Sequence, residues 1–330
     1  MNNVKQQILK PTFYLFIRMS VNQFSRKEIA IAYIKILRLV NGLVSGCAAA
    51  FGVVLSFPDG ITLTPNDYVA VALVVIAGMF VSCQAMIFND IADREEDAIN
   101  APHRPIPTGK ISVKAAKIYA FIFVGLALGA AIAIDILRGL YGLSVATAII
   151  FGGSLVLYDF KLKKMGFIGN LTIGINVLAL FLYGSLHTYL VYPESGLAWI
   201  PIVVGVAAGS GNVGREIIKG LPDIEGDRKA GIPTIAVKYG QMKTAIIADI
   251  FLAILIAGGF SAIFLDGLNY PASAIVGYAT IIPVATFAFI GILVNQKPKW
   301  AYITKEILLI LYLVFLLLFI VDKIIFLIIG

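Results

Sequence analysis

Cysteine and histidine are scarce, with two of each in 330 residues. Cys47 and Cys83 fall inside long apolar runs with no metal-ligand spacing, so packing is their expected role. His103 and His187 stand apart from each other and from any ligand pattern, which argues against a zinc site or a histidine-based catalytic pair. Charged residues make up only 14% of the chain, against roughly 25% in an average soluble domain. Few positions show the strict alternation of a membrane β-strand. A cleaved leader is not expected either: Pro11 precedes the short apolar stretch Phe13 to Met19, and no small-residue cleavage site follows it.

What fills the chain is apolar: 59% of residues are hydrophobic and the mean hydropathy is +0.92. A soluble domain of this length would be about half apolar, so an integral membrane protein is expected. Runs of about 18 to 25 apolar residues cross a bilayer as helices, because a helix satisfies its own backbone in lipid. Nine such spans are expected at 33–56, 68–89, 115–134, 139–158, 168–190, 198–218, 243–265, 271–294 and 302–328. The predicted fold is therefore all-α, a polytopic bundle around a central cavity. Residues 1–30 read as a cytoplasmic or interfacial extension and 31–330 as the nine-helix domain.

The net charge of +7 does not point to nucleic acid once its distribution is considered. With the amino terminus inside, 24 of the 26 Lys and Arg fall on one face, and only Arg138 and Lys323 fall opposite. This positive-inside bias predicts a multi-pass protein of the cell membrane with its polar site toward the cytoplasm.

Two acidic clusters follow the second and sixth spans: Asn89, Asp90, Asp93, Arg94, Glu95, Glu96 and Asp97, then Asp223, Glu225 and Asp227. Each leads to an Ile-Pro-Thr tripeptide, at 106–108 and 232–234, with four spans between the units. That recurrence predicts two related four-helix units with facing sites and one added helix. If the second span stays helical through its cluster, Asp90, Asp93 and Asp97 share an arc of about 60°. Arg94 falls beside them, and Glu95 and Glu96 point away. Asp223 and Asp227 likewise share a face while Glu225 does not.

Two carboxylate faces suit Mg²⁺, which prefers oxygen ligands and completes its shell with waters and substrate phosphates. Arg94, Arg104, Arg215 and Lys219 are candidates to meet a diphosphate. Lys161, Lys163 and Arg38 are candidates for a second phosphate, and Asn41, Asn89 and Tyr158 for facing substrate. The pattern of an EF-hand calcium loop is absent.

These residues resemble the UbiA superfamily of intramembrane prenyltransferases. Asn89, Asp90, Asp93 and Asp97 match its N-D-x-x-D-x-x-x-D pattern, Arg104 to Gly109 its continuation, and Asp223 with Asp227 its D-x-x-x-D. Arg215, Glu216 and Lys219, followed by Asp223 to Arg228, look most like the archaeal branch that makes digeranylgeranylglyceryl phosphate. The resemblance implies Mg²⁺ as cofactor, held by Asp90, Asp93, Asp97, Asp223 and Asp227. It also implies a prenyl diphosphate donor and a lipid-like phosphate acceptor, with no obligatory protein partner. An aromatic-acceptor prenyltransferase is the nearest alternative, and a cation-coupled transporter the alternative of another class. Gly220, Leu221 and Pro222 are expected to break the helix before Asp223, since proline lacks a backbone donor and clashes with the preceding turn.

Overall fold

The computed structural model describes residues 24–229, 231–265 and 271–329. Most of the expected amino-terminal extension, 1–23, lies outside the described residues. Helix α1 (Arg26–Ile36) opens on a capping box at Ser25 and Glu28, which satisfies amides left free by the first turn. There follow α2 (Leu39–Leu55), α3 (Pro65–Ala92), α4 (Arg94–Asn100), α5 (Val113–Arg138), α6 (Leu143–Phe160) and α7 (Phe167–Val191). The chain continues through α8 (Ile200–Lys219), α9 (Ile224–Lys229), α10 (Ile235–Tyr239), α11 (Gln241–Leu265), α12 (Pro271–Val294) and α13 (Pro298–Ile329).

Every expected span is helical, with two differences. The first is divided: Arg38 takes a left-handed conformation, φ 47° and ψ 57°, between α1 and α2. Among the described residues, seven helices are long and apolar enough to cross a membrane, against nine expected. Helix α8 is not one of them, because Asn212, Arg215 and Glu216 lower its hydropathy. Helix α12 is apolar over Pro271–Val294, and within it the residues whose side chains are described give the stretch Pro283–Val294. Outward faces carry Phe121, Ile136, Ile150 and Phe287 in the open, a surface that suits lipid and would aggregate in water.

Helix α2 occupies the interior, packed against α3, α7 and α13. Glycine permits these contacts. A Cβ on Gly78 would lie 2.8 Å from the Gly46 Cα, one on Gly209 2.6 Å from the Gly174 carbonyl, and one on Gly184 against the Gly52 backbone. Small-residue crossings of this kind let helix backbones approach closely where no hydrophobic force draws them together. Phe51, Phe181, Val204 and Phe319 fill the space beside them.

The end remote from the acidic clusters is closed by polar pairs. Arg138 meets Asp67 at 2.5 Å, both nearly inaccessible, with the Tyr192 hydroxyl donating to Asp67 at 2.8 Å. Lys323 meets Asp59 at 2.8 Å. The two cations expected on this face are thus both paired.

Candidate active site

Helices α3 and α8 end on the same side of the bundle, each followed by a short helix carrying acids. Asp93 forms a one-residue interruption between α3 and α4, with φ −86° and ψ 5°, although the i to i−4 bonds at Asp93 and Asp97 persist at 2.8 Å. Asp90, Asp93 and Asp97 are consequently all buried. The interruption corrects two expectations. Glu96 turns toward the cavity rather than away from it. Arg94 lies outside the cavity lining, half exposed on Glu95 at 2.9 Å. Glu95 and Glu225 are exposed, as expected. On the second side, Gly220 caps α8, and the chain turns at Leu221 and Pro222 before α9.

One cavity of about 900 Å³ collects most of the candidates: Arg38, Asn41, Asn89, Asp93, Asp97, Arg104, Tyr158, Lys163, Arg215, Lys219, Asp223 and Asp227. Asp90 sits behind this surface under two guanidiniums, Arg38 at 2.5 Å and Arg104 at 3.7 Å. Arg104 also holds Asp97 at 2.5 Å. The Asp90 pairing explains why Arg38 tolerates a backbone conformation that costs a non-glycine residue about 1 to 2 kcal/mol. Arg38 and Asn41 share the Met86 sulfur, at 3.7 and 3.5 Å. They therefore face the same way despite the helix break. Lys161 is exposed and outside the cavity lining.

Lys163 reaches Asp93 at 2.6 Å from the loop after α6. Burial alone would lower its pKa, but Asp93, with Glu96 and Asp159 nearby, outweighs that and raises it. Its charge also acts on Asp223 and Asp227, so this ammonium lies between the two acidic clusters. Asp223 and Asp227 are both raised above the usual carboxylate range. Desolvation in the cavity wall is the main cause, opposed at Asp223 by Lys305 and at Asp227 by a hydrogen bond from Thr234. The two Ile-Pro-Thr tripeptides play different local parts: Thr234 caps α10 and bonds Asp227, whereas the Thr108 hydroxyl donates to the Pro105 carbonyl at 3.0 Å. Gly166, at φ 65° and ψ −122°, lets the α6–α7 loop lie against the Pro233 carbonyl. A side chain there would be strained and would push the two loops apart.

The structure adds Asp159, Lys305 and Tyr312 to the site and supplies partners for Glu216 and Asn176. Asp159 accepts a hydrogen bond from Asn89 at 3.0 Å; a carboxylate at the end of a span beside Tyr158 was the available signal. Glu216, almost fully buried, joins Arg215 at 3.5 Å and also bonds Lys219. The Tyr158 hydroxyl faces Glu216. Lys305 and Tyr312 enter from α13, and only tertiary packing brings them here. Asn176 accepts from Ser154 at 2.5 Å and donates to the Thr172 carbonyl, a helix-to-helix contact, though it also lines the cavity.

Below this polar mouth the walls become apolar, with Ala48, Val177, Leu180 and Phe181. Helix α6 lines the chamber from Ser144 to Asp159, a rise of roughly 22 Å at 1.5 Å per residue. Among the described residues no three acids converge as a ready-made metal cage. The hard oxygen donors on both walls still fit Mg²⁺, which is commonly held by one or two carboxylates plus substrate phosphates.

An all-helical membrane protein with a charged mouth above a long apolar chamber is built for an amphiphile with an anionic head. The chain belongs to the UbiA prenyltransferase family, whose model matches residues 43–302. A curated relative from Thermococcus gammatolerans, named digeranylgeranylglyceryl phosphate synthase, is 32% identical over 84% of this chain and 92% of its own. A solved structure described as digeranylgeranylglyceryl phosphate synthase in membranes is 26% identical, with a TM-score of 0.63 over 90% of this chain and 99% of that one. A UbiA homologue from Archaeoglobus fulgidus bound to DMAPP and Mg²⁺ shares the fold at a TM-score of 0.61 and 20% identity, over 90% of this chain and 99% of that one.

Proposed function

We propose that this protein transfers a geranylgeranyl group from its diphosphate to the free hydroxyl of geranylgeranylglyceryl phosphate, with Mg²⁺, forming the second ether bond of an archaeal lipid. The observation that carries this reading is the meeting of two acidic clusters and their paired cations in one cavity, in a chain about 30% identical to synthases of that name. The binding of DMAPP and Mg²⁺ by the Archaeoglobus homologue supports the choice of metal and donor class.

Asp93, Asp97, Asp223 and Asp227 offer metal-facing oxygens, and Asp90 joins them when Arg38 and Arg104 turn toward substrate. Mg²⁺, when bound, neutralises the departing diphosphate. The chain's own part begins with Lys163 and Arg104, which add fixed positive charge where negative charge develops. Tyr158, Asn41 and Asn89 border the reacting end. The apolar chamber holds the prenyl chain and excludes water from the allylic cation until the acceptor hydroxyl attacks. The C–O bond to diphosphate breaks first, its electron pair leaving with the diphosphate; the hydroxyl then forms the new C–O bond to the allylic carbon and its proton leaves late, so a strong base is not required.

We further propose nine crossings arranged as two four-helix units plus one, with the charged mouth toward the cytoplasm of the cell membrane. The side bias of Lys and Arg and the matching positions of the α3 and α8 ends support this arrangement. Residues 1–30 would then lie on that face. Gathering of the charged groups at one end of the bundle argues against the transporter alternative, whose sites lie near the midplane.

The test uses purified protein in lipid nanodiscs with labelled geranylgeranyl diphosphate, Mg²⁺, and equal amounts of geranylgeranylglyceryl phosphate and a hydroxybenzoate. Mass analysis should find label in the glyceryl phosphate product. Label found only in the hydroxybenzoate would assign the chain to the aromatic-acceptor branch.

A further inference from the structure

The cations of the mouth are distributed unevenly among its acids. On the α3, α4 and α6 side, Arg38, Arg104, Lys163 and Lys164 face five acids, Asp90, Asp93, Glu96, Asp97 and Asp159. That wall is short of positive charge, as a metal-binding wall should be. On the α8 and α13 side, Arg215, Lys219 and Lys305 surround Glu216, with Glu306 at the rim 3.8 Å from Lys305. Asp223 and Asp227 follow α8 and belong with the metal-facing acids, so it is the group of three cations around one buried acid, not the wall as a whole, that is positive.

Its geometry is that of a single column. Gly211, Arg215 and Lys219 recur every four residues on α8 and so stand on one face. Opposite them on α13 are Lys305 and Tyr312. The Arg215 Nε donates to the Lys305 carbonyl at 3.1 Å, which pins the guanidinium against α13. The Tyr312 hydroxyl lies over Gly211, whose missing side chain leaves room for it. This hydroxyl lines the cavity, is buried, and has no hydrogen-bond partner among the described residues. A buried donor without a partner is destabilising, and a bound oxygen would relieve it.

Granting the function proposed above, we infer that Arg215, Lys219, Lys305 and the Tyr312 hydroxyl form the binding site for the acceptor's phosphate, apart from the metal-bound diphosphate. Two anionic heads must enter one cavity, and their repulsion is least when each has its own countercharge. The metal with Asp93, Asp97, Asp223 and Asp227 takes the diphosphate; the cation group on α8 and α13 takes the phosphate monoester. In the acceptor the attacking hydroxyl is on the carbon beside the one bearing the phosphate ester. Anchoring the phosphate on α8 and α13 therefore directs the hydroxyl across the mouth toward the donor. This places the acceptor contacts away from Lys161, Lys163 and Arg38, the second of which is bonded to Asp93 and the third to Asp90.

The test compares wild type with Lys305→Gln, Lys305→Arg and Tyr312→Phe in nanodiscs. It reads KM for each substrate and, separately, equilibrium binding of labelled geranylgeranylglyceryl phosphate without donor or Mg²⁺. Losing one charge-assisted contact should weaken acceptor KM and acceptor binding roughly tenfold, with donor KM moving less than about twofold; Lys305→Arg should recover most of the loss. Tyr312→Phe should weaken acceptor binding by a smaller factor in the same direction. Wild-type turnover of the glyceryl phosphate with unchanged acceptor values in all variants, or a loss confined to donor KM, would overturn this site and leave the proposed function standing. Absence of any glyceryl phosphate product from wild type would overturn the function, and the site with it.

Discussion

Asp93 and Asp227 face the shared cavity, whereas Glu95, in the same acidic run, has a side chain 84% exposed. Replacing Asp93 or Asp227 with Ala should therefore cut turnover at least about 100-fold, the scale on which groups that stabilise developing charge act. Glu95→Ala and Glu225→Ala should stay within about twofold. Glu96 gives the sharper discrimination, because a continuous helix would turn it outward while the interruption at Asp93 turns it in. Glu96→Ala should fall between the two groups; steady-state rates at matched folded yield measure all five. Equal losses in every variant would contradict the assigned faces. The helical angle placed Asp90, Asp93 and Asp97 on one face, and the structure buries all three; Arg94 and Glu96 depart from the same count beyond the interruption at Asp93, which no composition signal marks.

Elements here are positioned by what glycine omits. Gly184→Val would drive a side chain into the Gly52 backbone at the α2–α7 crossing, and folded yield should collapse. Gly125→Ala and Gly129→Ala, with nothing within 4 Å of the added Cβ, should keep wild-type yield and gain up to about 1 kcal/mol of helix stability. Size-exclusion profiles and thermal unfolding in detergent separate the two outcomes. Arg138→Ala belongs to the same scale. It leaves Asp67 buried with only Thr64 and Tyr192 as donors, and should cost about 3 kcal/mol, toward the low end for a broken buried pair. Substrate KM values should not move, because the pair lies at the end remote from the acidic clusters. Long apolar runs made the helices legible, and Pro222 marked the break after α8. The αL turn at Arg38 was not legible, since it depends on a carboxylate 52 positions away.

At the scale of the molecule, the recurrence of an acid cluster followed by Ile-Pro-Thr points to two acidic sites, and one cavity collects Asp93, Asp97, Asp223 and Asp227. The gathering of Arg215, Lys219 and Lys305 around Glu216 was not legible in the sequence. Lys305 reads as one more topology-setting cation until α13 packs beside α8, and Asp159 reads as the end of a span until Asn89 reaches it. If both acidic clusters act on one diphosphate through Mg²⁺, the most direct measurement is a chelator titration of one nanodisc sample. Turnover of labelled geranylgeranyl diphosphate and far-ultraviolet circular dichroism would be followed together. Turnover should disappear as free Mg²⁺ is removed and return when it is restored, with helix content unchanged throughout. Full turnover in excess chelator would contradict the claim.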